Sequence, residues 1–172
     1  MSSAAPLIVT LILDEDSSSF FNALRKAHFP PERNYLQAHL TLFHHLPEGE
    51  PFIIRTLEHT AAQHKPFPLA VTSTAFIGNG VAYKLESAKL QQLHASLQSA
   101  WKEWLIPQDR QRLWPHVTVQ NKVPAANARV LYEELTNTFT PFMAYATGFS
   151  VWRYCGGPWK ALATYPFTKE RD

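Results

Sequence analysis

Residues 37–47 read QAHLTLFHHLP, with three histidines in seven positions, and residues 116–119 read HVTV. HLTL at 39–42 and HVTV at 116–119 share the form His-apolar-Thr-apolar. Each lies in a short β-prone stretch in its own half of the chain. In a strand, residues i and i+2 point to one face. His39 and Thr41 then project together while Leu40 and Leu42 face the core, and His116 and Thr118 do the same against Val117 and Val119. If the halves meet about a pseudo-twofold, two His/Thr pairs converge across a groove.

That pairing suits phosphodiester chemistry. One neutral imidazole takes a proton from the attacking hydroxyl or water, and the other, protonated, delivers one to the leaving oxygen. Histidine serves in either state near neutral pH because its unperturbed pKa is about 6.5. The threonine hydroxyls can donate to phosphate oxygens as charge builds there, so this reading needs no metal or other cofactor. The same alternation places Phe43 beside His39 and Thr41, and Gln120 beside His116 and Thr118, as candidate groove walls. It puts His45 on the His39 face and His44 on the other, the two capping the strand at the groove rim. A metal site on the His39–His45 cluster is the competing reading, but no carboxylate or cysteine lies close in sequence to complete a ligand set.

Outward from the motifs, the chain reads as alternating strands and helices. Leu7–Leu13 is an apolar central strand closed by Asp14, Glu15 and Asp16. The serines at 17–19 are cap candidates for a helix through about Ala27, and residues 36–43 form the first motif strand. Pro51 suits the first turn of a second helix. Phe67–Ile77 and Val81–Leu85 read as a hairpin around GNG at 78–80. A long helix follows from about Ser87 to Leu105, its stripe made by Leu90, Leu93, Leu97, Trp101 and Trp104. Then come the strand His116–Gln120, a helix opened by Pro124, and two strands at about Met143–Tyr154 and Trp159–Tyr165. Helices mixed with antiparallel hairpins indicate an α+β protein rather than a doubly wound parallel sheet. Without a linker or low-complexity run, all 172 residues read as one two-lobed domain. Trp152 and Tyr154 fall on one strand face, where they either pack or stack a base.

Composition narrows the function classes. Sixteen Lys+Arg against 14 Asp+Glu give a net charge of only +2. No broad basic face for long nucleic acid is implied, though a strand end or small anion needs few cations. Cys155 is the single cysteine, which excludes an intrachain disulfide and fits a reducing, cytoplasmic setting. It sits beside a Gly-Gly turn and reads as structural. The apolar start is too short for a membrane span and lacks the basic flank of a signal peptide.

The two motifs and the closing LATYPF make the chain resemble the two-histidine (2H) phosphoesterase superfamily. That superfamily includes the bacterial 2'-5' RNA ligase-like (LigT-like) and RNA 2',3'-cyclic phosphodiesterase proteins. HLTLFHHLP, PQDRQRLWPHVTVQNKV and WRYCGGPWKALATYPF look like a bacterial branch of that group. The resemblance implies two pseudo-symmetric lobes of antiparallel sheet, with flanking helices around a central groove. It makes His39 and His116 the acid/base pair and Thr41 and Thr118 the phosphate-oxygen donors. It also implies an RNA or nucleotide phosphodiester as substrate for a metal-independent enzyme. Nothing in the sequence demands more than a monomer or suggests a membrane partner. A nucleotide-binding module that keeps the groove without turnover is the alternative. Departures from the family pattern are His44-His45-Leu46-Pro47 after the first motif and Gln120-Asn121-Lys122 after the second, where some relatives carry an arginine.

Overall fold

Leu7–Leu13, apolar at nearly every position, forms the first strand of a curled antiparallel sheet in the computed structural model, which describes residues 5–170. In chain order the elements are β1 (Leu7–Leu13), α1 (Glu15–His28), β2 (Leu40–Leu46), α2 (Pro51–Ala62), β3 (Phe67–Phe76), β4 (Val81–Glu86), α3 (Ala88–Ala100), β5 (His116–Gln120), α4 (Ala125–Thr138), β6 (Phe142–Arg153) and β7 (Lys160–Pro166). This is the expected α+β order. α1 starts earlier than the serines suggest because Asp14 caps it, accepting from the Ser17 amide at 3.1 Å. α3 ends at Ala100, yet Trp101 and Leu105 beyond it are buried. The apolar stripe therefore outlasts the helix and continues through a turn.

The sheet runs β2-β1-β6-β3-β4-β5, with β7 on β6. β6 is its spine. One edge pairs with β1 along residues 146–153, while the other serves β3 through 142–146 and β7 through 148–153. The two motif strands are the terminal strands of the path, and the curl brings β2 and β5 against each other. Leu40, Leu42, Val117 and Val119 lie at 0–1% exposure in the core, as alternation requires.

Alternation then fails at the same point in both strands. Thr10 pairs with Thr41 but Val9 with Phe43, and Ala82 pairs with Thr118 but Val81 with Gln120. One step on the partner strand spans two on the motif strand, which is a β-bulge immediately after each threonine. The extra residue resets which face the following side chains take. Phe43 is consequently fully buried, between His94 and Trp101, and Gln120 is 8% exposed. Neither forms a groove wall; the bulges turn both inward.

Each motif strand is also held by a helix from the other half. Arg25 of α1 donates through a terminal guanidinium nitrogen to the Thr118 carbonyl at 3.1 Å and through Nε to Asn34 Oδ1 at 2.8 Å. Its charge rests 3.9 Å over the Phe29 ring. His94 of α3 donates Nε2–H to the Leu42 carbonyl at 2.9 Å. A bulge leaves ladder groups unpaired, and these two side chains satisfy carbonyls beside the bulges.

Candidate active site

The residues just before and within the motif strands set the site. Nδ1 of His39 lies 2.9 Å from the Gln37 carbonyl, and Nδ1 of His116 lies 2.7 Å from the Trp114 carbonyl. A carbonyl only accepts, so each Nδ1 carries the proton and each Nε2 is left with its lone pair. The two histidines thus use the same bond to the residue two places upstream, which fixes ring orientation and tautomer together. Each also has an aromatic neighbour: Trp159 lies 4.7 Å from the His39 ring, and Trp114 stacks on His116 at 4.3 Å.

Burial sets their charge. Desolvation pushes His39 down to about 4, with smaller repulsion from Arg25, His116 and His44. Desolvation also lowers His116, with His44 adding repulsion. Both rings are neutral at pH 7 in the free protein. Thr41 and Thr118 are half-buried beside them on their strands.

Two hollows flank this centre. The first, about 450 Å³, is lined by His39, Gln37, Tyr35, Thr10, Trp152 and Trp159, among others. Trp152 is anchored there by Nε1–H donating to Thr10 Oγ at 3.0 Å. Tyr154 does not join it. β6 ends at Arg153, and Tyr154 lies in the exposed turn that follows. The expected Trp152/Tyr154 face is therefore a Trp152/Trp159 wall, with rings 6.1 Å apart. Cys155 is exposed in the same turn and does not pack in the core. Lys122 is exposed with φ at 62°, in a turn beyond β5.

The second hollow, about 290 Å³, is lined by Thr41, His44, His94, Asp109, Arg112, Trp114 and His116 together with flanking residues. His44 comes here, and not to the opposite face, because the bulge after Thr41 shifts its alternation. Asp109 comes from the short 3₁₀ turn Pro107–Arg110. Its carboxylate is buried and accepts from the His44 and His45 amides at 2.9–3.0 Å, and from His44 Nδ1–H at 2.8 Å. Gln98 of α3 fixes the turn by donating to the Asp109 and Gln111 carbonyls. Asp109, His94 and Arg25 escape a reading of local pattern, since each reaches the site from a turn or helix remote from its target. Among the described residues, no three His, Cys, Asp or Glu side chains lie together as a metal-ligand set. Nor is any helix among them long and apolar enough to cross a membrane.

Residues 13–158 match the family model described as the 2'-5' RNA ligase superfamily. Among solved structures, TT0787 of Thermus thermophilus superposes with a TM-score of 0.67 at 19% identity, over 96% of this chain and 100% of that one. LigT of E. coli complexed with 3'-AMP gives a TM-score of 0.59 at 20% identity, over 97% and 100%. The same protein complexed with ATP gives 0.56 at 19%, over 98% and 100%. At these identities the likeness establishes a shared LigT-like fold. No curated protein matches the chain.

Proposed function

The chain belongs to the 2'-5' RNA ligase superfamily, and on that premise we propose that it is a metal-independent phosphodiesterase. Its substrates are 2',3'-cyclic phosphate ends of RNA or nucleotides, with 2'-5' linkages, cleaved or reversibly formed, as the closest variant. The observation that carries this reading is the matched pair of histidines, each held by Nδ1 to the carbonyl two residues upstream.

In this mechanism one Nε2 lone pair accepts the proton of the attacking water, whose oxygen bonds to phosphorus. The P–O bond to the 2' or 3' oxygen breaks, and the other histidine delivers a proton from Nε2 to that oxygen. The acid must be protonated, whereas burial keeps both rings neutral in the free protein. An anionic phosphate beside an imidazole favours its charged form. Substrate binding thus supplies the charge that makes one ring an acid. Thr41 and Thr118 donate to the non-bridging oxygens. Trp152 and Trp159 suit stacking of the adjoining base, consistent with LigT having been solved with 3'-AMP, ATP and NADP+.

The test is hydrolysis of an RNA oligonucleotide ending in a 2',3'-cyclic phosphate, in excess chelator, by wild type, His39→Ala and His116→Ala. Turnover indifferent to chelator and lost in both variants is expected. A folded wild type that binds the RNA without turning it over overturns the proposal in favour of a binding module.

A further inference from the structure

We propose that His44, oriented by Asp109, is a phosphate-binding residue of the second hollow. This inference rests on the reading of the groove as a phosphodiester site and adds a third imidazole to it. Three observations carry it. His44 lines the same hollow as Thr41 and His116, so a phosphate bound there by the threonine hydroxyl shares that hollow with the His44 ring. Its Nδ1–H is committed to Asp109 at 2.8 Å, so Nε2 is the ring atom left for a ligand. Its side chain is 41% exposed, while the Asp109 carboxylate is 1% exposed.

The roles of the rings differ by environment. His39 and His116 donate Nδ1–H to neutral carbonyls and are driven towards the uncharged form by burial. His94 is committed to the Leu42 carbonyl and to stacking on Phe43 at 4.6 Å. His44 is the ring of this group hydrogen-bonded to a carboxylate, so protonation turns that contact into an ion pair. The protonated ring then offers Nε2–H to a non-bridging phosphate oxygen, a charge-assisted hydrogen bond. Arg112 adds a second cation to the same hollow. Asp109 acts as a positioning residue: besides the ring it holds the His44 and His45 amides, so it sets backbone and side chain together.

The experiment compares adenosine 3'-monophosphate with adenosine by calorimetry at about pH 6. Wild type, His44→Gln, His44→Ala and Asp109→Asn are measured, with His45→Gln as a control because His45 does not line the hollow. The ratio of the two affinities isolates the phosphate contribution. It is expected to fall about tenfold in both His44 variants, the size of one charged hydrogen bond, with adenosine binding unchanged. Asp109→Asn should show a smaller fall, and His45→Gln none. An unchanged ratio in His44→Gln overturns the proposal, as does a wild type that binds both compounds equally. Turnover of the cyclic-phosphate oligonucleotide is read on the same preparations. A His44-dependent ratio without turnover keeps His44 in its role and sends the search to another phosphodiester. Turnover with an unchanged ratio removes His44 alone.

Discussion

His39 and His116 differ from the other histidines in what their rings are asked to do. His44, His64 and His94 also have ring hydrogen bonds, but among the described residues only His39 and His116 pair a carbonyl-bound Nδ1 with a half-buried place at the start of a bulged strand, two residues before a threonine. Replacing either by alanine is expected to lower kcat/KM on the cyclic phosphate by about 10²–10⁴-fold, the usual worth of one proton-transfer group. A melting temperature within a few degrees of wild type would show that the fold survives. Because His39 stays neutral down to about 4, a base at this position keeps working well below the 6.5 of free imidazole. The acid limb of the kcat/KM profile should therefore fall below about pH 6 if His39 is the base. An acid limb at or above about 7 contradicts that assignment. At this scale the two His/Thr pairs were legible because strand alternation is local. Phe43, Gln120 and His44 were not, since the residue inserted after each threonine changes the face of the side chains that come next.

Among the elements, the sequence pattern located strands and helices closely where apolar periodicity meets a turn residue. β1, β5 and the start of α2 at Pro51 stand where the pattern places them. What the pattern lacks is cross-bracing between halves, because a side chain such as Arg25 carries no local sign of a carbonyl at Thr118. Arg25→Leu removes two donors and leaves that carbonyl beside the bulge without its partner. It is expected to cost about 2 kcal/mol, readable as a lower urea midpoint with unchanged slope. The second bulge has its own requirement. A Cβ on Gly80 would stand 1.8 Å from the Gln120 carbonyl oxygen, so only glycine permits the backbone approach that accommodates it. Gly80→Ala should force β5 away from β4, costing on the order of 2–3 kcal/mol and displacing His116 with it. Loss of activity together with a lowered melting temperature is the expected result. Full activity in a stable variant would show that the bulge does not set the position of His116.

The whole molecule inherits a pH dependence from its desolvated histidines. His39, His94 and His116 all have folded-state pKa values lowered by burial. On acidification the unfolded chain takes up protons near 6.5, before the folded protein does. The unfolded state then binds more protons, and stability falls as pH drops from about 6.5 towards 4. Denaturant midpoints at about pH 7.5 and pH 5 should differ in that direction, and equal midpoints would contradict it.

The spine strand carries a further consequence, for the time course of synthesis. β1 and β6 are neighbours in space, yet Trp152 and the Thr10 it bonds are separated by 142 residues of chain. A ribosome releases the chain from one end, so β1 emerges long before the strand it must lie against. Until β6 follows, β1 can pair only with β2, and the other edge of an almost wholly apolar strand is open. Such an edge invites pairing with other chains, and long-range closure is slow. The first strand is thus a part of the nascent polypeptide that needs shelter from other chains, and the sheet cannot close around the groove until β6 has been made.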